Sequence, residues 1–213
     1  MIRRVEHVMG MPISLALRGR HAGDAHGDAA WAAALEVLRA ADRTFSTYRA
    51  DSVISRMNRG VPVDTPPEVA DVLAIGAAAE RSSGGAFAVR RGGVLDPSGV
   101  VKGWAAERAA AAPWRIGIED PRDPTRLVAV VPLRTGAVAT SGTAHRGAHI
   151  VDARTGRAPG GLASVTVVGR SLTAVDVDAT AAFALGADGE RWLTTRGHRA
   201  AFVVRTDGTT GTL

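Results

Sequence analysis

The sequence predicts an α+β protein built mostly from antiparallel strands, and three observations predict it. Segments with apolar residues at helical spacing are interleaved with segments of apolar–polar alternation. The order shows no regular strand–helix–strand repeat of the kind that builds a parallel sheet, and the second half is dense in short strands separated by turn residues. With 213 residues and 46% hydrophobic side chains the chain can bury a core, so residues 1–213 are expected to form a single globular domain.

The elements follow in order. Residues 13–18, ISLALR, alternate and read as a strand entered from the turn HVMGMP. Trp31, Leu35, Leu38 and Ala41 recur at helical spacing and define an amphipathic helix over about 28–44. Thr65, Pro66 and Glu68 supply the N-cap, first-turn proline and third-position glutamate of a second helix, which runs to the SSGG stop at 82–85. A third helix, over about 101–112, is introduced by the loop LDPSG. Trp114, Ile116 and Ile118 then alternate as a strand, EDPRDP is a turn, and RLVAVVPL, AHIVDA and SVTVVG are further strands. A fourth helix covers about 173–185, a short one about 189–195, and AFVVR closes as a strand before a TDG turn. Little more than Pro113 separates the third helix from the next strand, where about 2–6 residues are usual, so a shortened segment is expected near 112–114.

Composition excludes several classes. Without cysteine there are no disulfides, thiolate metal sites or cysteine nucleophiles. The sequence holds no apolar run of about 18 residues and no leader-like charged–apolar–small stretch at its start, so a cytoplasmic protein without a membrane span is expected. The net charge is +5, but the 26 basic residues are scattered and aromatics for base stacking are few, which argues against a nucleic-acid surface.

Those 26 include one lysine, Lys102; the chain also has one tyrosine, Tyr48, one asparagine, Asn58, and no glutamine. In a sequence drifted so far toward Arg, Ala and Gly, such survivors point to positions where substitution fails; arginine, for instance, does not mimic a compact ammonium. All three lie in segments that attract attention for other reasons.

Three constellations carry candidate chemistry. DPSGVVKG places Ser98 and Gly99 before a helix whose first turn holds Lys102; this is either an anion site made by backbone N–H groups and an ammonium, or an ordinary N-cap with a solvated lysine. Asp176 and Thr180 stand at i and i+4 on one helix face, with Asp178 turned elsewhere. That pair is either a hard oxygen donor set suited to Mg²⁺, or a dipole-stabilised aspartate beside a threonine bonded to its own backbone. His145 and His149 with Ser141 and Asp152 suggest a metal pair or a hydrolase triad. The stretch reads as loop and strand rather than helix, however, and no GxSxG elbow is present. The expected arrangement is a polar loop, Thr140, Ser141 and Gly142, approaching a ligand, with His149 on the following strand.

Together the segments FSTYRADSVISRMNRG (45–60), LDPSGVVKGWAAERAA (95–110), ATSG with HIVDARTGRAP, and VDVDATAAFALG resemble the ApbE-like FAD:protein FMN transferases, and the resemblance runs from HVMG to the last helices. It implies two tunnelling-fold-like halves and a Mg²⁺-dependent enzyme that moves the FMN half of FAD onto a threonine or serine of a partner flavoprotein, releasing AMP. It also implies roles. Tyr48 would lie near the isoalloxazine; Ser98, Gly99, Lys102 and the loop Thr140, Ser141 and Gly142 would hold FAD. Asp176 and Thr180 would bind the metal together with the backbone carbonyl of Val101, and His149 would move a proton or position phosphate. Lys102 and Asp176 join His149 as the expected catalytic set. Met11, Ala88 and Ala153 depart from the family pattern, and a GGD-containing segment is missing at Pro113. Two alternatives share the fold: an FAD pyrophosphatase yielding FMN and AMP, and a non-catalytic FAD-binding module.

Overall fold

The computed structural model describes residues 2–17, 23–109, 114–133, 136–144, 147, 149–197 and 200–213. In chain order these form β1 (Ile2–Val8), β2 (Met11–Leu17), α1 (Ala25–Phe45), α2 (Val53–Asn58), α3 (Pro67–Ser82), β3 (Arg90–Arg91), β4 (Val94–Leu95), α4 (Ser98–Ala109), β5 (Trp114–Asp120), β6 (Asp123–Leu133), β7 (Ala137–Gly142), β8 (Leu162–Gly169), α5 (Leu172–Leu185), α6 (Gly189–Leu193), β9 (Ala200–Arg205) and β10 (Thr210–Thr212). The expected α+β class is correct. β10-β9-β8-β7 make a four-stranded antiparallel sheet, and β1-β2, β3-β4 and β5-β6 are antiparallel hairpins.

Eleven of the 14 residues of α5 are buried, so it has no solvent face and must be covered on all sides. One side, Val175, Ala179, Ala182 and Phe183, packs on the sheet with Val165, Val167 and Val203. The other side, Val177 and Ala181, joins a second core with Leu38, Ile54, Val72, Val100 and Trp104 from the first four helices. The two clusters therefore share α5.

The contact between α4 and α5 is set by two interactions. Gly103 lies so close to α5 that an added Cβ would sit 2.7 Å from Asp176 Cβ and 3.0 Å from Leu172 O. One turn along α4, Glu107 caps α5 from outside: its carboxylate accepts from Leu172 N (3.0 Å), Thr173 N (3.1 Å), Ser171 Oγ (3.1 Å) and the Thr173 hydroxyl. These are the otherwise unpaired donors of a helix N-terminus, where a negative charge is also favoured by the dipole. Burial pushes the Glu107 carboxyl up, but the hydrogen bonds from Thr173, Ser171 and Leu172 outweigh it and hold it below the ordinary glutamate range.

Several expectations need correction. Thr65 does not cap α3. Pro66 holds the cap position without a side-chain bond, because a residue preceding proline is pushed out of the helical region and Pro67 follows it. α1 starts earlier, capped by Asp24, and α4 starts at Ser98 rather than near 101; its expected end at 112 lies outside the described residues, as does the junction expected near 112–114 up to Pro113. Of AHIVDA, Ala148 lies outside the described residues and 149–153 are not a strand: Asp152 makes only an isolated antiparallel bridge with Arg157. Residues 152–157 instead form a turn in which Asp152 accepts Arg154 N at 2.9 Å and Asp152 O accepts Gly156 N at 2.7 Å. Thr140, Ser141 and Gly142 are not a loop but the end of β7, paired with β8 from Thr140↔Thr166 to Gly142↔Ser164. β1, α2, the β3–β4 hairpin and β10 were not expected from the sequence.

Asn58 has a structural task. Its side-chain amide donates to Leu95 O and accepts from Leu95 N, both at 2.8 Å, and so acts as a short extra strand on β4. This fixes the chain just before α4 begins. Aspartate cannot donate, so Asn58→Asp should lower the unfolding free energy by about 1–3 kcal/mol in urea titrations; an unchanged midpoint would contradict the clamp. Because the folded pKa of Glu107 lies below its unfolded value, its cap is fully stabilising above about pH 4 and is lost as the pH falls through the folded value. Glu107→Ala should therefore cost about 1.5–3 kcal/mol at pH 7, and the gap to wild type should narrow at pH 3.

Candidate active site

Above the α4–α5 seam lies a cleft of about 310 Å³ whose walls come from separate segments: the end of α1 and the following loop, the β1–β2 turn, the β3–β4 hairpin, the first turn of α4, residues 149–153, and α5. It brings together Tyr48, Ser98, Gly99, Val101, Lys102, His149 and Thr180, seven of the eleven site residues expected from the sequence. His145 lies outside the described residues.

Each wall has a local cause. Ser46 builds the loop after α1: its hydroxyl accepts from Tyr48 N and Arg49 N at 3.3 Å, and its carbonyl accepts from Ser52 Oγ at 2.5 Å and Ser55 Oγ at 3.1 Å. That turn holds Tyr48 on the rim with its side chain 85% exposed, an aromatic face open to a ligand. At the start of α4, Asp96 accepts Ser98 N at 3.1 Å and Pro97 O accepts Val100 N and Val101 N, so a short polar turn leads directly into the helix carrying Lys102. Gly99 lets α4 approach the cleft floor; a Cβ there would meet the Phe87 ring at 2.9 Å.

His149 is exposed and its Nδ1 lies 3.0 Å from Gly147 O. A carbonyl only accepts, so this contact makes Nδ1 the protonated nitrogen of the neutral ring and leaves the Nε2 lone pair free to take a proton.

Asp176 is 8% exposed and is not on the cleft surface; it sits on the seam behind Lys102. Its Oδ2 accepts Gly103 N at 2.9 Å. Burial pushes its carboxyl above the ordinary aspartate range, against the pull of the Lys102 ammonium and the Gly103 N–H. A buried carboxylate in this state is short of positive charge. Thr180, one turn on, does face the cleft, and its hydroxyl lies 3.0 Å from Ser141 Oγ. Among the described residues no three His, Asp or Glu side chains converge, so a cation here would rest on one carboxylate and neutral oxygens: Asp176, Thr180 and the Val101 carbonyl. That set suits a small hard cation which keeps several positions for water and phosphate, and the residues fit Mg²⁺. Asp178 points away and pairs with Arg196 at 3.2 Å, as the helix periodicity predicts.

Thr140 and Gly142 are not brought to the cleft. Strand alternation sends the Thr140 side chain to the face opposite Ser141, where its hydroxyl meets Thr166 Oγ1 at 2.8 Å. Ser141 contacts Thr180 rather than lining the cleft. Sequence reasoning missed Arg91, whose side chain lines the cleft and has no ion pair or hydrogen-bond partner among the described residues. Its signal was present in RRGGVL: positive φ at both Gly92 and Gly93 marks a tight hairpin, and alternation puts Arg90 and Arg91 on opposite faces.

A family model described as the ApbE family matches residues 9–96 and 92–203; the two matches meet in the β3–β4 hairpin, and one of them spans 110–113. None of the curated proteins matches the sequence. Among solved structures, the chain is similar to the ApbE protein of Thermotoga maritima, at 20% identity over 99% of this chain and 96% of that one, with a TM-score of 0.84. It is also similar to the flavin transferase ApbE of Vibrio cholerae (19% identity, 100% and 96% coverage, TM-score 0.79). A third similar structure is the flavinyl transferase ApbE of Pseudomonas stutzeri in its apo form (21% identity, 99% and 94% coverage, TM-score 0.80). With both the helical and the sheet half matched, the chain belongs to the ApbE family.

Proposed function

We propose that this chain, acting as one domain, transfers the FMN half of FAD to a threonine or serine hydroxyl of a partner flavoprotein and releases AMP. The observation that carries this reading is the cleft itself. Four separate sequence segments bring an aromatic rim (Tyr48), an ammonium (Lys102), an imidazole whose Nε2 has no hydrogen-bond partner among the described residues (His149) and a hydroxyl (Thr180) to one place, with the Asp176 carboxyl buried behind it. The solved structures named for flavin transfer share the fold.

The reaction forms a bond between the acceptor oxygen and the flavin-side phosphorus. It breaks the bond from that phosphorus to the bridging oxygen, and AMP departs with the electron pair. The chain's own groups divide the work. Tyr48 offers a face to the isoalloxazine, while Lys102 and the turn at Ser98 and Gly99 hold the diphosphate. His149 Nε2 takes the proton of the acceptor hydroxyl. Mg²⁺ held by Asp176, Thr180 and the Val101 carbonyl would neutralise the diphosphate oxygens. The guanidinium of Arg91 adds a second cation to the same wall. No described helix is long and apolar enough to cross a membrane, and a cytoplasmic location belongs to this reading on the sequence argument alone.

The test is mass spectrometry with FAD, Mg²⁺ and candidate acceptors. AMP should appear together with an acceptor heavier by FMN, and Asp176→Ala should abolish both. His149→Ala should lower kcat by about 10²–10⁴-fold while FAD binding persists. FMN and AMP formed without any acceptor would make the protein a pyrophosphatase. FAD binding without AMP, in the presence of a verified acceptor, would leave only a binding module.

A further inference from the structure

We infer that Ser141 is a positioning residue that acts through Thr180, holding its hydroxyl proton away from the cleft so that an oxygen lone pair faces a bound cation. The inference rests on the proposed magnesium-dependent reading and extends it to a residue outside the cleft wall.

Three observations carry it. Ser141 Oγ lies 3.0 Å from Thr180 Oγ1, and the two residues are only 4% and 8% exposed, so the contact is largely enclosed. Strand alternation in β7 gives Ser141, and not Thr140, the face toward α5. The pairing Ser141↔Val165 and Gly142↔Ser164 sets that face, and β7 lies close on β8 at the next residue: a Cβ on Gly142 would sit 2.7 Å from Ala163 O and 2.9 Å from Ser164 Cβ.

The chemistry follows from the inventory of a hydroxyl, one proton and two lone pairs. A threonine in mid-helix ordinarily gives its proton to the carbonyl one turn back, here that of Asp176. Ser141 offers a second acceptor, fixed on a strand. When the proton points there, the remaining lone pair is turned toward the cleft. A cation on Thr180 Oγ1 would make that proton more acidic and the bond to Ser141 stronger. Asp176 is treated in the same way, since the Gly103 N–H occupies Oδ2 from behind at 2.9 Å. The two candidate ligands, one turn apart on α5, are thus each oriented by a different neighbour, α4 for one and β7 for the other.

The test uses Mn²⁺ as the probe, titrated by electron paramagnetic resonance without FAD, in wild type, Ser141→Ala, Thr180→Ala and the double variant. Ser141→Ala should weaken Mn²⁺ binding by about 10–100-fold. The same substitution in the Thr180→Ala background should have no further effect, because its route is gone. Flavin fluorescence should report unchanged metal-free FAD binding in Ser141→Ala, and Ser141→Thr, which keeps the hydroxyl, should restore Mn²⁺ affinity. Should Ser141→Ala fail to fold, the Ser141→Thr and Ser141→Cys pair decides, with cysteine expected to weaken binding and threonine not. An equal loss with and without Thr180, or no loss in either background, overturns the inference while leaving the magnesium reading intact. Absence of Mn²⁺ binding by the wild type overturns both, and shows before any substitution is made.

Discussion

The close approach of α4 and α5 at Gly103 and Asp176 is the constraint on which the rest of the structure depends. With no side chain at Gly103, the backbone N–H of α4 reaches the carboxylate of α5, and the same approach carries Lys102 to the mouth of the cleft. Glu107 closes the seam one turn along by satisfying the N-terminal donors of α5. An ordinary N-cap would hold α5 by a residue of its own; here Ser171 does cap Ala174 N, and Glu107 adds a bond across to another helix. The spacing of Lys102 on one helix and of Asp176 and Thr180 on the other is therefore fixed from both sides.

The seam also explains why a carboxylate can be kept in so costly a place. Burying a lone aspartate is unfavourable unless it is bonded or neutralised, and a single N–H with a nearby ammonium does not restore what water supplied. The site is left with unmet demand for positive charge. On the proposed reading such demand would have a use: the acid and the phosphate oxygens would share a cation, with the ammonium beside them adding a second positive charge. α5 can carry this polar pair through its buried length because most of its remaining surface is apolar and packs on both cores, while Asp178 pairs with Arg196 and Thr173 with Glu107.

The rare residues of this sequence serve different ends. Lys102 and Tyr48 line the cleft. Asn58 does not; it holds β4 by a two-point amide clamp, and through β4 the turn that launches α4. Rarity in a biased composition therefore marked positions where geometry forbids replacement, without distinguishing ligand contact from scaffold. The β3–β4 hairpin that Asn58 holds is where the two family-model matches meet, and it is also the hairpin that carries Arg91 into the cleft.

Periodicity and turn chemistry were enough to read the α+β class, most helices and the strands β5, β6, β8 and β9 from the sequence, because those signals are local. The i, i+4 spacing likewise placed Asp176 and Thr180 on one face of α5 and turned Asp178 away, and ordered motifs identified the cleft residues Lys102, His149 and Tyr48. What the chain could not announce is which partner each polar group finds. AHIVDA alternates like a strand, yet its Asp152 closes a local turn with Arg157 instead of joining a ladder, and Thr140, Ser141 and Gly142 resemble a loop in composition but pair with residues more than twenty positions away. Strand pairing then sends Thr140 to one side and Ser141 to the other, and the approach of α4 decides that Gly103 meets Asp176. These are contacts between distant segments, fixed by packing and register, whereas the sequence by itself determined the chemical groups and those elements whose signals are local.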